Sequence, residues 1–163
     1  MISQLHPRVG FAAIVVIVSV LFAVALYTQY VGGLEPCPLC MTQRFFYALV
    51  AFFALIAALH GRKLRIYGLL VTLAALGGIA VAGRQVWLQH LPPDQVPACG
   101  PSLDYMMQTL PFGEVLIKLF KGDGNCAIVD WRLLGMSMAE WSLLWFAILA
   151  AAGGVLVRRG DKR

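Results

Sequence analysis

The chain has 163 residues, of which 60% are hydrophobic and 13% charged, and its net charge at pH 7 is +5. Soluble domains carry about 45–50% apolar and about 25% charged residues. Because so few polar side chains cannot cover a water-facing surface, the composition excludes an ordinary soluble enzyme and a disordered, highly charged chain. It predicts an integral membrane protein embedded in the lipid bilayer.

Four long stretches of the chain contain no charged residue. Each is long enough for a spanning helix, which needs about 17–25 mostly apolar residues. We predict helices over residues 10–29, 42–60, 66–85 and 141–157. These helices define an all-α membrane protein, a single integral domain built as a four transmembrane helix bundle.

The first apolar segment has a second interpretation. Arg8, the apolar run and the Ala-Val-Ala sequence at 23–25 imitate a cleaved signal peptide. The apolar run, however, continues through Leu26 and Tyr27, and the loop after it carries a cysteine pair. Because this cysteine pair would lie beside the other spans if the first segment also crosses the membrane, we expect the segment to be retained as the first span.

Lys and Arg residues are distributed unequally between the two sides of this bundle. If both termini share one side, that side carries eight basic residues and one acid, against five basic residues and seven acids opposite. The eight are Arg8, Arg62, Lys63, Arg65, Arg158, Arg159, Lys162 and Arg163. The positive-inside rule then predicts cytoplasmic N- and C-termini. The positive charge is therefore a topology signal and does not indicate nucleic-acid binding.

This topology leaves a short outer loop over residues 30–41 and a long outer loop over residues 86–140. Prolines at 92, 93, 97 and 101 predict irregular backbone at the start of the long loop. Further on, segment 111–121 has an amphipathic helical pattern, with Glu114, Lys118 and Lys121 on one face. We expect this helix either to lie on the membrane surface or to pack on the protein's own loop.

All four cysteines, Cys37, Cys40, Cys99 and Cys126, fall in the two outer loops. In bacteria the outer side is oxidising, so disulfides can persist there. Four cysteines allow three pairings, of which Cys37 with Cys40 and Cys99 with Cys126 is the simplest. Structural zinc sites usually bring their second cysteine pair as another close CxxC motif, and the spacing of Cys99 and Cys126 does not fit one. We predict no metal site.

The CxxC motif at 37–40 directly precedes the second span. If Cys37 is the N-cap and Pro38 the first helical residue, Cys40 lies in the first turn. Free backbone N–H groups and the helix dipole stabilise a thiolate there, which makes it reactive. Arg44 follows on the same face one turn deeper. It either stabilises a thiolate or an oxygen of an apolar acceptor, or extends to the lipid headgroups.

Taken together, these features resemble the DsbB family of disulfide-forming quinone reductases. The resemblance rests on four spans, the CxxC motif with Arg44 four residues after it, and a long outer loop with two more cysteines. The sequence Gly-Asp-Gly-Asn-Cys at 122–126 and the segment 131–141 are also similar to that family's approach to the fourth span. The resemblance covers nearly the whole chain.

The resemblance implies an enzyme of the bacterial inner membrane, a protein-dithiol:quinone oxidoreductase with its active cysteines on the periplasmic side. Its partner would be a DsbA-like periplasmic thiol oxidase. The partner's reactive thiolate would attack Cys99 in the loop pair Cys99–Cys126. Exchange between the two pairs would then pass electrons to the membrane-proximal pair, Cys37–Cys40.

The resemblance also implies a site for a membrane quinone, either ubiquinone or menaquinone. Cys40 would be the cysteine in contact with the quinone, and Arg44 would help to bind or activate it. His90 resembles a histidine near the quinone ring. The stretch from His90 to Cys99 is, however, shorter and richer in proline than in a known member of the family.

Other functions fit parts of the pattern. A structural membrane subunit with two inert disulfides accounts for Cys99 and Cys126, which close a long loop. It accounts poorly for the very short CxxC ring, which constrains the unfolded chain little. A quinone-linked enzyme similar to vitamin K epoxide reductase also uses CxxC in a four-helix bundle, but its cysteines follow a different order. A soft-metal importer lacks a compact set of ligands here.

Overall fold

The computed structural model describes residues 7–101, 103–129 and 131–160, with only the backbone of Leu103, Asp104 and Gly160. Its helices are α1 Pro7–Tyr30, α2 Pro38–His60, α3 Leu64–Gln89, α4 Leu103–Thr109, α5 Phe112–Lys121 and α6 Met138–Gly160. Within this described part, α1, α2, α3 and α6 are long and apolar enough to cross a membrane. This confirms the predicted all-α, four-helix membrane fold. Lys162 and Arg163 of the predicted basic tail lie outside the described residues.

All four long helices begin before the predicted residues, and α1, α3 and α6 also end after them. In α2 and α6, capping groups and not the charged residues determine where the helix begins. Helix α2 begins at Pro38, with Cys37 as its N-cap, and ends where Gly61 adopts a left-handed φ of 65°. Helix α6 begins at Met138 with a capping box. There the backbone N of Ser137 donates to Glu140 Oε2 (2.6 Å), and the backbone N of Glu140 donates to Ser137 Oγ (3.3 Å).

The bundle is held together by α3, which packs against both α2 and α6, while α1 packs mainly on α2. Small residues allow the close approach of α3 and α6. A Cβ on Gly68 would lie only 3.0 Å from Val157 Cγ2. In the centre, the rings of Tyr47 and Phe146 stack with centroids 4.0 Å apart. The core therefore lies between all four long helices, with Phe11, Ile14 and Val18 of α1 among its buried residues.

The long outer loop folds back onto the bundle through α5. Val115 is buried, and Thr42 Oγ1 of α2 donates a hydrogen bond to the carbonyl oxygen of Leu119 (2.9 Å). The rings of Phe46 and Phe120 meet edge to face, 6.4 Å apart. Of the two predicted positions for this helix, the structure thus favours packing on the protein itself, although on the span α2 and not on the loop.

The opposite side of α5 remains apolar and exposed. Phe112 and Ile117 expose 71% and 65% of their surfaces, and Leu116 exposes 38%. These side chains extend from the outer end of the bundle, where the headgroup boundary of a bilayer would lie. Packing on α2 and contact with a membrane surface are therefore compatible in this helix.

After α5, a 3₁₀ turn at Gly124–Ala127 and a two-residue hairpin complete the long loop. The hairpin strands, β1 Arg132–Leu133 and β2 Met136–Ser137, are antiparallel. Their turn has φ of 53° at Leu134 and 82° at Gly135, a geometry typical of tight hairpins. The hairpin leads the chain directly into α6.

The docking of α5 is testable through Thr42. We expect Thr42→Val, which keeps the shape but removes the hydroxyl bound to Leu119, to weaken docking by about 1 kcal/mol. Amide hydrogens of α5 should then exchange about fivefold faster. Thr28→Val is the matched control, because the Thr28 hydroxyl donates only within α1, to the carbonyl oxygen of Ala25. Equal exchange of α5 in both variants would contradict the docking.

Candidate active site

The CxxC motif forms the N-terminus of α2. Cys37 is the N-cap, with extended backbone (φ −67°, ψ 164°), and Pro38 is the first helical residue, as predicted. The backbone N of Cys40 donates to Cys37 Sγ at 3.3 Å. The sulfurs of Cys37 and Cys40 lie 2.8 Å apart. Because the capping geometry brings the two sulfurs together, the pair can interconvert between dithiol and disulfide with little movement of the backbone.

Cys126 lies beside this motif because the 3₁₀ turn of the long loop returns to the outer ends of α2 and α3. Its side chain is fully buried and packs in an apolar cluster with Leu39 and Leu88. The neighbouring Gly122 adopts a φ of 75°, and a Cβ there would lie 2.7 Å from Leu39 Cδ1. Glycine is therefore needed for the loop to approach α2 this closely.

Cys37 packs against the cluster that contains Cys126, and each of the two thiols shifts the pKa of the other in the opposite direction. Hydrogen bonds to Cys126 and then to Cys40, together with burial, raise the pKa of Cys37 above its ordinary value. The hydrogen bond from Cys37 is the largest cause that lowers the pKa of Cys126. Cys37 thus retains its proton, whereas Cys126 has the greater thiolate character of the two.

Cys99 is exposed at the surface, yet it is attached to the same 3₁₀ turn. The backbone N of Gly124 donates to the carbonyl oxygen of Ala98 (3.2 Å), and Asn125 Nδ2 donates to the carbonyl oxygen of Gly100 (3.1 Å). A Cβ on Gly124 would lie 3.1 Å from Cys99 Sγ. The structure therefore brings Cys99 into the neighbourhood of Cys126, with Cys99 on the outside and Cys126 inside.

Two buried glutamines complete the surroundings of the CxxC motif. Gln43 Nε2 on α2 donates to Gln85 Oε1 on α3 at 2.6 Å. Gln85 Nε2 lies 3.4 Å from Cys37 Sγ and 3.3 Å from Cys40 Sγ. Neither residue was predicted to have a role in the site. The signal that could have identified them is a polar amide near the end of an apolar span, which is costly unless it has a specific partner.

Arg44 lies one turn below Cys40 and turns towards α1. Its Nη2 donates to the carbonyl oxygen of Ala25 at 3.0 Å, and its Nη1 donates to Gln29 Oε1. The guanidinium is half-buried between α1 and α2, so it does not extend outwards to the headgroups. Of the two sequence-based interpretations, the structure disfavours simple extension to the membrane surface.

A cavity of about 340 Å³ opens beside the CxxC motif. Its wall includes Phe22 and Thr28 of α1, Cys40 and Arg44 of α2, and Trp145 of α6. Most of this lining is apolar, with a few polar groups converging near Cys40, as is typical of small-molecule sites. Both cysteines of the motif and the single arginine of its helix thus face the same space.

His90 is the predicted site residue that the structure does not bring to this cavity. Helix α3 continues to Gln89, so His90 becomes its C-cap at the outer end. The imidazole is exposed, and its Nδ1 lies 2.8 Å from the carbonyl oxygen of Val86. The assignment of His90 to a quinone ring stays a prediction, and this geometry does not support it.

Comparison with known proteins identifies the family. The family model of disulfide bond formation protein DsbB matches residues 7–156. Disulfide bond formation protein B of Marinobacter nauticus is 50% identical over 157 residues, which cover 94% of each chain. Disulfide bond formation protein B 1 of Pseudomonas aeruginosa is 55% identical over 125 residues, 75% of this chain and 77% of that protein. The chain belongs to the DsbB family of disulfide bond formation proteins.

Proposed function

We propose that this protein reoxidises a DsbA-like thiol oxidase at the periplasmic face of the bacterial inner membrane and passes the electrons to a membrane quinone. One observation carries the proposal furthest. Buried Cys126 of the outer loop interacts with Cys37 at the N-cap of α2, and Cys40 of the same motif lines an apolar cavity. A route thus runs from the exposed Cys99 to a space within the bundle.

The first step takes place at Cys99. In the oxidised protein, the partner's thiolate attacks Cys99 Sγ of a Cys99–Cys126 disulfide, because Cys99 is exposed and Cys126 is buried. A mixed disulfide forms at Cys99, and Cys126 leaves as a thiolate. The lowered pKa of Cys126 makes it the better leaving group, since exchange is faster when the departing thiol has a lower pKa.

The second step transfers the electrons to the membrane-proximal pair. The Cys126 thiolate attacks Cys37 of the Cys37–Cys40 disulfide, and Cys40 leaves as a thiolate. The partner's second thiol then attacks the partner's first sulfur in the mixed disulfide. This step oxidises the partner and releases Cys99 as a thiolate. Cys99 in turn attacks Cys126, which restores the Cys99–Cys126 disulfide and leaves Cys37 and Cys40 reduced by two electrons.

The cavity next to Cys40 fits the ring of a quinone. Its volume of about 340 Å³ and its largely apolar lining suit a flat apolar head group, and Arg44 provides a positive charge at its wall. A bound quinone supplies an acceptor for two electrons and two protons. On the protein side, Cys37 and Cys40 close into a disulfide as they give up those electrons, and Cys37 contributes the proton that its raised pKa retains.

The competing assignment, a structural subunit with two inert disulfides, is not favoured. A disulfide that serves only stability gains most when it closes a long loop, whereas the CxxC ring is very short. Its position at a helix N-terminus, in contact with a third cysteine, has no use in a purely structural role. Membership in the DsbB family also disfavours the interpretation as a vitamin K epoxide reductase.

Electron flow tests the proposal directly. We expect the purified protein in detergent to reduce ubiquinone or menaquinone analogues only when a reduced DsbA-like partner is present. Cys40→Ala should abolish the reaction, because Cys37 alone cannot close into a disulfide as electrons are given up. The measurement is the partner-dependent loss of quinone absorbance. No reduction by folded wild-type protein with either quinone would overturn the proposed function.

A second prediction concerns the entry point. Cys126→Ser should trap the partner at Cys99 when the partner's second cysteine is replaced by Ala and its reactive cysteine is supplied as a mixed disulfide with thionitrobenzoate. The Cys99 thiolate then displaces thionitrobenzoate, and no thiol at position 126 remains to release the partner. The adduct is measured by non-reducing electrophoresis and located by mass spectrometry. Cys99→Ser is the control that should trap nothing. An adduct at Cys37 or Cys40, with Cys99 unmodified, would contradict the order of the steps.

A third prediction concerns Arg44. Arg44→Gln should raise the apparent KM for quinone about tenfold, the effect of losing one charged hydrogen bond of roughly 1.4 kcal/mol. Arg84→Gln is a matched control, because Arg84 lies at the outer end of α3 with its guanidinium 4.4 Å from the ring centroid of Trp87. Similar kinetics in the two variants would show that Arg44 has no role at the cavity.

A further inference from the structure

We propose that Gln85 is a catalytic residue that stabilises the thiolate of Cys40 through its side-chain amide, and that Gln43 positions this amide. The inference rests on the proposed function, in which Cys40 leaves as a thiolate when Cys126 attacks Cys37. It adds a donor group on a different helix, α3, to the chemistry of the CxxC motif on α2.

The direction of the Gln85 amide is the first argument. Its Nε2 lies 3.3 Å from Cys40 Sγ, while its Oε1 lies 3.7 Å from the same sulfur. The donor atom is therefore the closer one, as a negatively charged sulfur requires. The same Nε2 lies 3.4 Å from Cys37 Sγ. With two N–H bonds, one amide can serve both sulfurs.

Gln43 explains why the amide keeps this direction. Its Nε2 donates to Gln85 Oε1 at 2.6 Å, which occupies the acceptor side of the Gln85 amide. Rotation of that amide by half a turn would break this bond and would present an oxygen lone pair to the sulfurs. The pair of glutamines thus acts as a unit: Gln43 fixes the orientation of the Gln85 amide, and Gln85 donates hydrogen bonds to the sulfurs.

The first turn of α2 explains why such a donor is needed. Pro38 has no N–H, and the N–H of Leu39 interacts with Cys126. The N–H of Cys40 donates to Cys37 Sγ, and the N–H of Met41 donates to the carbonyl oxygen of Cys37. These N–H groups are therefore engaged by Cys37 and Cys126, which leaves the backbone N–H of Cys37 and the Gln85 amide as donors near Cys40 Sγ.

Burial of the two glutamines supports a specific role. Gln43 and Gln85 are each 4% exposed, among otherwise apolar residues of α2 and α3. A buried amide is costly unless its hydrogen bonds are made. A bond between the two side chains alone would suffice to join the helices. It would not require the remaining N–H bonds of Gln85 to be directed at the reacting sulfurs.

The test uses protein with Cys99→Ala and Cys126→Ala, so that only the CxxC cysteines remain and neither partner nor quinone is needed. Two properties are measured at pH 7: the rate of alkylation of Cys40 relative to Cys37 by iodoacetamide, resolved by mass spectrometry, and the equilibrium of the pair with glutathione. Gln85→Met, which keeps the size but removes the donor, should lower the relative alkylation rate about tenfold. It should also shift the equilibrium towards the disulfide several-fold.

Two further variants separate a thiolate donor from a simple connection between helices. Gln43→Met should change both properties in the same direction but less than Gln85→Met. The Gln85 donor remains in this variant, and its amide only becomes free to rotate. Gln89→Met is the matched control on the same helix, since the Gln89 side chain is hydrogen-bonded to Ser137 Oγ (2.8 Å) and not to a cysteine. It should leave both properties unchanged.

The outcomes that would overturn the inference are distinct from failure of the proposed function. Unchanged alkylation and equilibrium in folded Gln85→Met protein would remove Gln85 from the chemistry. Equal effects of Gln43→Met and Gln85→Met would assign both residues to helix packing alone. Neither result depends on quinone reduction by the wild-type protein. A failure of the wild-type protein to reduce quinone would instead overturn the proposed function.

Discussion

The contact between Cys37 and Cys126 joins two parts of the protein that otherwise belong to different environments. Cys37 caps a membrane-spanning helix, whereas Cys126 belongs to a loop that also carries the exposed Cys99. The contact depends on apolar packing, because Cys126 is buried in a cluster with Leu39 and Leu88. Without that packing the loop would lose its fixed position above α2. The proposed exchange between the two cysteine pairs would then require the loop to diffuse until Cys126 met Cys37.

Polar groups inside the spans are concentrated around the same place. Gln43 and Gln85 are hydrogen-bonded to each other and reach the sulfurs of the CxxC motif. Arg44 connects α2 to α1 at the wall of the cavity. Each of these side chains is expensive to place within a bilayer. Their concentration at one end of the bundle, beside Cys40, is the arrangement that the proposed chemistry at Cys40 would require.

The amino-acid sequence predicts the spans well because the length of an apolar run relates directly to bilayer thickness. It predicts their ends less well. Pro38 and the capping box at Ser137 extend α2 and α6 beyond the apolar runs. The two-residue strands at 132–133 and 136–137 are too short to leave a periodic pattern.

The candidate site was predictable in its parts but not in its arrangement. The four cysteines and Arg44 follow from motif and position along the chain. That Cys126 contacts Cys37 depends on how the loop returns to α2, and no local pattern encodes this return. The Gln43–Gln85 pair depends on the rotation of α2 and α3 about their axes. The family resemblance implied a place for His90 near a quinone, whereas the structure makes His90 the exposed C-cap of α3.

The contact between Cys37 and Cys126 is tested most directly by disulfide formation with only these two cysteines present. Protein with Cys40→Ser and Cys99→Ser is oxidised mildly in detergent, and its disulfide is identified by mass spectrometry of peptides. Protein with Cys37→Ser and Cys99→Ser, which leaves Cys40 and Cys126, serves as the comparison. Our account predicts a Cys37–Cys126 disulfide in most folded molecules and much less of the Cys40–Cys126 bond. Absence of the first bond, or equal formation of both, would contradict it.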